Sequence, residues 1–319
     1  MTRERRPHGR RGRLLQLAGR LGGVVLVVWG AATAGFIALR LIPGDPVDVM
    51  LGVHARVSEA VRDQIRADWG LDEPVVVQYL RYLGRLATGD LGTSYQLRKP
   101  VAEVIGNQAL PTVQLTALAL LFAVILALAA ALLARGVRAR RVVSVLELFV
   151  VSSPTFWIGL VLLTVFAYQL RWFPSAASGG FAALVLPALT LALPVAGVIS
   201  QVLRQGLDQA EAQPFATTVR ARGVRPARLV LRHTLRHAAA DSLTLTGYLV
   251  GSLLGGAVLV ETVFARQGLG GVTVRAILGR DLPVVLGIIV LAAAVFAVIN
   301  LLIDLAYDRI DPRLRLVAA

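Results

Sequence analysis

Cysteine is absent from the 319-residue sequence, and charged residues make up only 16% of it. Without cysteine there can be no disulfide framework, no cysteine-ligated zinc site and no thiol nucleophile. The four histidines, His8, His54, His233 and His237, lack a metal-binding spacing such as H-E-x-x-H. A phosphate-binding loop of the form G-x-x-x-x-G-K-[ST] is also missing. We therefore expect no catalytic residues, no metal, no cofactor and no ATP hydrolysis by this chain itself.

Apolar residues are abundant instead, at 56% of the sequence, and the mean hydropathy is +0.69. A helix that crosses about 30 Å of hydrocarbon needs about 20 apolar residues. Unpaired backbone polar groups are costly in lipid, and the alternation of a barrel strand is missing, so membrane-crossing segments here must be helices. The sequence predicts an all-α membrane protein with six transmembrane helices, at about 21–41, 109–134, 142–170, 181–203, 243–263 and 282–307.

The formal net charge of +14 comes from clustered arginines. A nucleic-acid surface is one explanation, but no aromatic residues are interleaved with these arginines, and no nucleic-acid partner is expected. The clusters lie before the first apolar stretch and after the second, fourth and sixth. Because basic residues concentrate in cytoplasmic segments, both termini are predicted to be cytoplasmic.

These predictions divide the chain into regions. A cleaved signal peptide is the alternative for its start, but the first apolar run is long enough to span and no small-residue cleavage site follows it. The regions are a basic cytoplasmic N-terminus at 1–20, a first span at 21–41, an external segment at 42–108, a core with the other five spans at 109–307 and a cytoplasmic tail at 308–319.

The external segment is too small for an independent enzyme domain and is expected to be a cap or docking element. Its sequence predicts a turn at 43–46, where proline, glycine and aspartate occur together. A helix follows, capped by Ser58 and ended by Gly70. A second helix is expected at 75–86.

The cytoplasmic segment at 204–240 carries helical signals of its own. Pro214 can open a helix, Gly223 can end it in a left-handed conformation, and Pro226 can open a second helix with one apolar side. An amphipathic segment lying on anionic lipid satisfies this pattern. A protein-docking surface satisfies it equally well.

Several short motifs, in order along about residues 25–316, resemble one protein family. They are Arg40-Leu-Ile-Pro-Gly-Asp-Pro46, Gly70-Leu-Asp-Glu-Pro74, Gly89-Asp-Leu-Gly-Thr-Ser94, Ser153-Pro-Thr-Phe-Trp157, Phe215-Ala-Thr-Thr-Val-Arg-Ala-Arg-Gly223, Arg232-His-Thr-Leu-Arg236, Gly256-Ala-Val-Leu-Val-Glu-Thr-Val-Phe264, Gly268-Leu-Gly270, Arg280-Asp281 and Asp311-Pro-Arg313. On these motifs the chain resembles permease subunits of binding-protein-dependent ABC importers, in particular the first membrane subunit of the dipeptide, oligopeptide and nickel branch.

The resemblance implies a type I ABC importer permease fold in the bacterial plasma membrane. It also implies a translocation subunit that couples ATP hydrolysis by partners to the passage of di- or oligopeptides, with nickel or another small solute as the alternative cargo. The implied partners are a second homologous permease, two ATP-binding subunits, an extracytoplasmic substrate-binding protein, the peptide and membrane lipid.

The stretch 215–236 resembles the EAA loop of such permeases, whose coupling helix sits in a groove of an ATPase subunit. The residues implied to make this contact are Phe215, Thr217, Thr218, Arg220, Ala221, Arg222, Gly223, Arg232 and His233.

Ionisable residues within a span are candidates for function because charge is costly in hydrocarbon. Glu261, Pro154 and Trp157 are the candidates for the substrate pathway. For Pro154 the alternative is a kink in its helix, as expected also at Pro187 and Pro194. Glu147 and Asp304 lie near predicted cytoplasmic ends, where we expect them to reach the interface. A polytopic membrane enzyme would need a nucleophile motif or a close pair of acids, and a self-sufficient carrier would need inverted repeats with broken helices. Neither pattern is found.

Overall fold

The computed structural model describes residues 10–41, 47, 58–70, 72–134, 136–175, 180–224 and 226–310, and almost all of them are helical. The turn predicted at 43–46 lies outside the described residues, as do the side chains of His233 and Asp304 and the tail from residue 311. In chain order the helices are α1 (Arg10–Arg40), α2 (Glu59–Trp69), α3 (Val75–Ala87), α4 (Val101–Leu133), α5 (Val137–Ser152), α6 (Thr155–Leu162), α7 (Ala182–Ala212), α8 (Pro214–Ala221), α9 (Pro226–Leu229), α10 (Leu235–Val263), α11 (Leu269–Leu278) and α12 (Leu282–Ile310).

Four helices are long and apolar enough to cross a membrane on their own, and a bent pair gives a fifth if it counts as one span. The four apolar segments are Ala18–Ala38, Val101–Leu133, Ala182–Ala212 and Leu282–Leu302. The stretch predicted at 243–263 lies within α10, whose apolar part among the described side chains is Gly251–Val263. The described residues therefore confirm an all-α protein with four to five membrane-length spans, where the sequence predicts six.

The predicted third stretch is sharply bent, as the kink expected at Pro154 implies. α5 ends at Ser152, and α6 starts at Thr155 after a bend of 108°. Pro154 lies in the bend, and Ser153 before it is extended, with φ −84° and ψ 137°. A proline disfavours helical backbone in the residue before it, which explains the break at this point. After α6 the chain continues as a π-helix over Leu163–Gln169.

The chain forms two compact units. The first consists of Met1–Gly106 and Arg275–Asp304. In it α1 and α12 pack closely, since a Cβ added at Gly35 would lie 3.0 Å from Leu286 Cδ2. Helix α3 also packs on α1, because the ring of Tyr79 lies 5.4 Å from that of Phe36.

The two helices predicted within residues 42–108 are present. α2 ends at Gly70 in a left-handed conformation with φ 62°. Ser58 precedes α2 with extended backbone, but its side chain makes no capping hydrogen bond, so this detail of the prediction is wrong. α3 begins one residue after Pro74 and runs to Ala87, one residue beyond the predicted end.

The second unit consists of Asn107–Val274 and Leu305–Ala319, and α7 is its central helix. Ala119, Ala123 and Ala127 are fully buried and recur every four residues, so one face of α4 is smooth and closely packed. α10 approaches α7 closely as well, since a Cβ added at Gly206 would meet Ala238 at 3.0 Å. Small side chains are what allow helices to approach this closely.

Candidate functional site

The segment that joins α7 to α10 contains the predicted short helix. α7 continues past its apolar part to Ala212, and Gln213 is extended with ψ 150°, so the chain turns there and Pro214 opens α8. Gly223 ends this turn with φ 75°, and its amide donates to the Arg220 carbonyl at 2.9 Å. A left-handed φ strains any residue with a Cβ. The predicted helix, its proline start and its glycine end are all confirmed.

α8 is anchored by one fully buried residue, Ala216, and presents most of its other residues to the outside. Phe215 is half-buried, and the side chain of His233 lies outside the described residues. The remaining residues of the predicted contact are all exposed, namely Thr217, Thr218, Arg220, Ala221, Arg222, Gly223 and Arg232.

The apolar side of the second helix in this segment is used within the protein. α9 begins at Pro226 as predicted, but it continues as a π-helix over Val230–Thr234 before α10 starts. Leu229 and Val230 are buried, and Val230 belongs to a small core that also contains Leu203 of α7. The predicted apolar side is thus confirmed, and it packs against helices of the second unit.

Three charged residues on one face of α7, Arg204, Asp208 and Glu211, form ion pairs with neighbouring elements. Spacings of four and three residues place them in a row along the helix. Arg204 pairs with Glu147 and Asp208 pairs with Arg140, both on α5. Glu211 accepts a bond of 2.9 Å from Arg220 on α8. A single row of charges on α7 therefore contacts both α5 and α8.

Glu147 corrects an expectation from the sequence. We expect it to reach the membrane interface, but it is only 4% exposed. Its carboxylate accepts a bond of 2.6 Å from Ser200 and pairs with Arg204. Removing one partner of such a buried pair leaves a buried charge, at a cost of about 3–5 kcal/mol. The half-exposed pairs of Asp208 and Glu211 contribute about 0–1 kcal/mol each.

Glu261 is fully buried near the end of α10. Its carboxylate accepts bonds from the Thr112 hydroxyl at 2.6 Å and from the Gly270 amide at 2.7 Å. The Gly270 amide lies in the first turn of α11, where a negative charge is favourable because helix amides point toward it. Gly268 and Gly270 fit against the carboxylate so closely that a Cβ on either would lie less than 3.0 Å from it.

Pro154 and Trp157, the other two pathway candidates, lie on a different element from Glu261. Pro154 is exposed in the bend before α6. Trp157 is 42% exposed on α6, and its ring meets that of Phe149 edge-on at 5.9 Å. A pathway role for these three residues stays a prediction.

Asp281 organises a loop in the first unit and is only 2% exposed. Its carboxylate accepts bonds from the Ser94 hydroxyl, from the Tyr95 amide at 3.1 Å and from the Gln96 amide at 3.3 Å. Burial, with a smaller contribution from Asp281, raises the pKa of Tyr95 to about 12. The motifs at 89–94 and 280–281 are visible in the sequence, but their contact is not, since 187 residues separate Ser94 from Asp281.

The sequence of the chain matches a known protein family. The family model described as "Binding-protein-dependent transport system inner membrane component" matches residues 119–316. The chain belongs to this family. The permease is also 35% identical over 301 residues to the glutathione transport system permease protein GsiC of Escherichia coli O6:H1, a match that covers 93% of this chain and 97% of the relative.

A candidate peptide permease protein of Brucella suis biovar 1 is 36% identical to the permease, over 88% of this chain and 92% of that protein. A solved structure described as inward-facing conformations of the MetNI methionine ABC transporter matches with a TM-score of 0.55 and 19% identity. That match covers 65% of this chain and 96% of the other, and at this identity it bears on the fold alone.

These findings confirm the resemblance inferred from the sequence motifs. The chain is a multi-span inner-membrane permease subunit of a binding-protein-dependent ABC importer. In this class ATP is hydrolysed by separate subunits, and the family implies ATPase and substrate-binding protein partners.

Proposed function

We propose that the permease is the first membrane subunit of an importer of di- or oligopeptides, and that α8 and Gly223 couple it to ATP hydrolysis by a partner. The observation that carries this proposal is the exposed surface of α8. Six of the predicted contact residues lie between Thr217 and Gly223, and all six are exposed. A short helix held by one buried alanine and turned by a glycine is suited to fit a groove in another protein.

Packing of the segment favours protein docking over lipid binding. An interfacial helix needs a free apolar side to insert into lipid. Here Leu229 and Val230 are buried within the second unit, and the exposed part of α8 is polar or small at Thr217, Thr218 and Ala221. Such a surface offers little apolar area to a bilayer.

Coupling then needs only two conformations of the permease. ATP binding closes the partner ATPases around the nucleotide and moves the α8 segments that they hold. A ligand shifts such an equilibrium by its difference in affinity for the two states. The helices that contact α8 follow its movement and open the pathway to the other side of the membrane.

The cargo proposed is a short peptide. One relative is named as a glutathione permease, and glutathione is a tripeptide, while another is named as a candidate peptide permease. Nickel or another small solute is the second candidate, because the sequence motifs also resemble the nickel branch.

The topology proposed has six transmembrane helices with both termini in the cytoplasm. The segment 42–108 is then external, and 1–20, 204–240 and 308–319 are cytoplasmic. The complete importer contains a second homologous permease, two ATP-binding subunits and an extracytoplasmic binding protein. The clustered arginines and the extent of α10 over 235–263 support the proposed membrane topology.

Substitution of Gly223 by aspartate tests the coupling role. Gly89 is a matched control, because it has a similar φ of 80° and, like Gly223, has no atom within 4 Å of an added Cβ. Both variants carry the same backbone strain and added charge. We expect Gly223→Asp to abolish transport while hydrolysis continues, and Gly89→Asp to retain transport. Unchanged transport by Gly223→Asp would refute the coupling role.

The cargo is tested in proteoliposomes that contain the permease, its partner subunits and the binding protein. Glutathione, dialanine, free alanine and Ni²⁺ are each added, and ATP hydrolysis is measured. We expect stimulation by one or both peptides only. Stimulation by Ni²⁺ or by alanine without stimulation by peptide would contradict the peptide assignment.

The topology can be tested by labelling single cysteines, since the chain has none of its own. Thr88 and Thr217 are both exposed positions. A membrane-impermeant maleimide added to intact spheroplasts should label Thr88→Cys and leave Thr217→Cys unlabelled until the membrane is opened. The reverse pattern would overturn the proposed orientation.

A further inference from the structure

We infer that Glu211 and Arg220 are positioning residues that fix α8 to the end of α7, and that Arg220 is therefore engaged inside the permease rather than with the ATPase. This inference rests on the proposed coupling role of α8. It revises one member of the predicted contact set, in which Arg220 faces the partner.

The pair is the last step of the row of charges on α7. Glu147 and Arg140 lie seven residues apart on α5, and their partners Arg204 and Asp208 lie four apart on α7. As residue numbers rise along α5 they fall along α7, so the two helices are joined by charges at two levels. Glu211 lies one turn beyond Asp208 and reaches Arg220 instead of α5.

α8 is a short helix that follows α7 directly. It is eight residues long and connects to α7 through Gln213 alone. Its fully buried residue is Ala216. A side chain this small sets how closely α8 approaches its neighbours, but it does not fix the rotation of α8 about its own axis. The bond between Arg220 Nη2 and Glu211 Oε2, at 2.9 Å, joins the last turn of α8 to the last turn of α7.

Two of the three pairs line one cleft, and Arg204 of the third pair lines it with them. A cleft of about 290 Å³ is lined by Arg140, Arg204, Asp208, Glu211 and Arg220, together with apolar residues of the loop. Two acids and three arginines therefore face the same cleft. Movement of α8 pulls on α7 through Glu211, and α7 is joined through the next two pairs to α5, the first half of the bent span.

This arrangement also sorts the arginines of α8 and its cap. Both are exposed, but of the two only Arg220 forms an ion pair among the described residues, with Glu211, whereas Arg222 lies directly before Gly223. We therefore assign Arg222, with Thr217, Thr218 and Ala221, to the surface that meets the ATPase. The two arginines should respond differently to substitution, although they lie only two residues apart.

The test compares single neutral variants with a charge swap. Glu211→Gln and Arg220→Gln each remove the pair, and Glu211→Arg with Arg220→Glu restores it in reverse. Arg138→Gln is the matched control, since Arg138 is an exposed arginine in the first turn of α5, close to Arg140. Two quantities are measured in the assembled importer: amide hydrogen exchange over 214–221, and uptake of labelled glutathione or dialanine per ATP hydrolysed.

We expect each single variant to raise exchange by about two- to fivefold, as loss of a half-exposed pair implies. Uptake per ATP should fall by a similar factor or more. The swap should return both quantities to within about twofold of the wild type, and Arg138→Gln should change neither. Where a single variant fails to accumulate, recovery of accumulation by the swap supports the inference in the same way.

The inference is overturned if the swap does not recover exchange, or if the single variants behave like Arg138→Gln. It is also overturned if the swap recovers exchange but not uptake, because Arg220 would then contact the ATPase itself. A wild-type importer that takes up neither peptide would count against the proposed function instead, and the exchange measurements would still decide the positioning role.

Discussion

Two groups of carboxylates in the permease are held in different ways. Glu261 and Asp281 are almost completely buried and accept hydrogen bonds from backbone amides of the turns beside them. Asp208 and Glu211 are half-exposed and pair with arginine side chains of other elements. Amides in a folded turn have fixed positions, whereas an arginine is long and can follow a moving partner. The first group holds turns in place, and the second suits elements that move.

Glu147 combines features of both groups, since it is buried like Glu261 but paired with an arginine. Substitution of Glu147 therefore shows how much of the stabilisation by a carboxylate comes from its burial and how much from the kind of partner it has.

The largest effect is expected for Glu147→Leu. The change leaves the Arg204 charge buried without its partner, and we expect the free energy of unfolding to fall by about 3–5 kcal/mol. Thermal unfolding of the purified permease in detergent measures this loss. The double variant Glu147→Leu with Arg204→Met should recover most of it, since both charges are then removed. Asp208→Asn, at a half-exposed pair, should lower stability by about 1 kcal/mol or less.

Asp281→Ala is expected to have the next largest effect. It leaves the Ser94 hydroxyl and the amides of Tyr95 and Gln96 without their acceptor, and an unsatisfied buried donor costs about 1–3 kcal/mol. Because the loop can relax toward water, we expect a total loss of about 2–3 kcal/mol in the free energy of unfolding. Asp90→Ala is the control, since that exposed carboxylate accepts one bond, from the Gly92 amide at 2.8 Å. Equal losses in the two variants would contradict the role assigned to burial.

Gly270→Ala tests how closely a turn fits its carboxylate. The added Cβ would lie less than 3.0 Å from Val258 Cα as well as from the Glu261 carboxylate. Overpacking of this kind costs about 1–3 kcal/mol, and we expect that loss in thermal unfolding. Gly255→Ala is the control, since nothing lies within 4 Å of its added Cβ. A wild-type unfolding temperature for Gly270→Ala would show that the turn can move.

The smallest effect concerns pH and appears only under alkaline conditions. The folded-state pKa of Tyr95 is raised to about 12 from an ordinary value near 10. A raised pKa means that the neutral phenol is favoured by folding, so its contribution is complete below about pH 10 and is lost as the pH rises through 12. Tyr95→Phe should remove this part of the alkaline loss of stability. Ultraviolet titration of the phenolate should show one fewer tyrosine ionising above pH 11 in the variant.

Local signals in the sequence predicted the helices and their ends well. Pro214 and Gly223 define α8 because a proline is favoured in the first turn and a glycine tolerates the left-handed end. Gly70 ends α2 for the same reason. The break at Pro154 is likewise a property of the proline and the residue before it. Each of these features depends on neighbours in the chain.

The contacts of the charged residues were not predictable in this way. The position of Glu147 near a predicted cytoplasmic end favours the interface, but its partner Arg204 lies 57 residues away in the sequence. Glu261 meets Thr112 across 149 residues. No periodicity links residues so far apart, and any of the many arginines could in principle have been the partner.

The sequence by itself determined that the chain belongs in a membrane, that its fold is all-α and which family it resembles. Apolar content, arginine clusters and the order of the motifs do not depend on how the helices pack. It also determined the ends of α8 and the left-handed turn at Gly223. Only the tertiary structure decided which acids are buried and what each one binds. The row of ion pairs on α7 arises from the packing of distant segments, and the partners in it are selected by proximity in space.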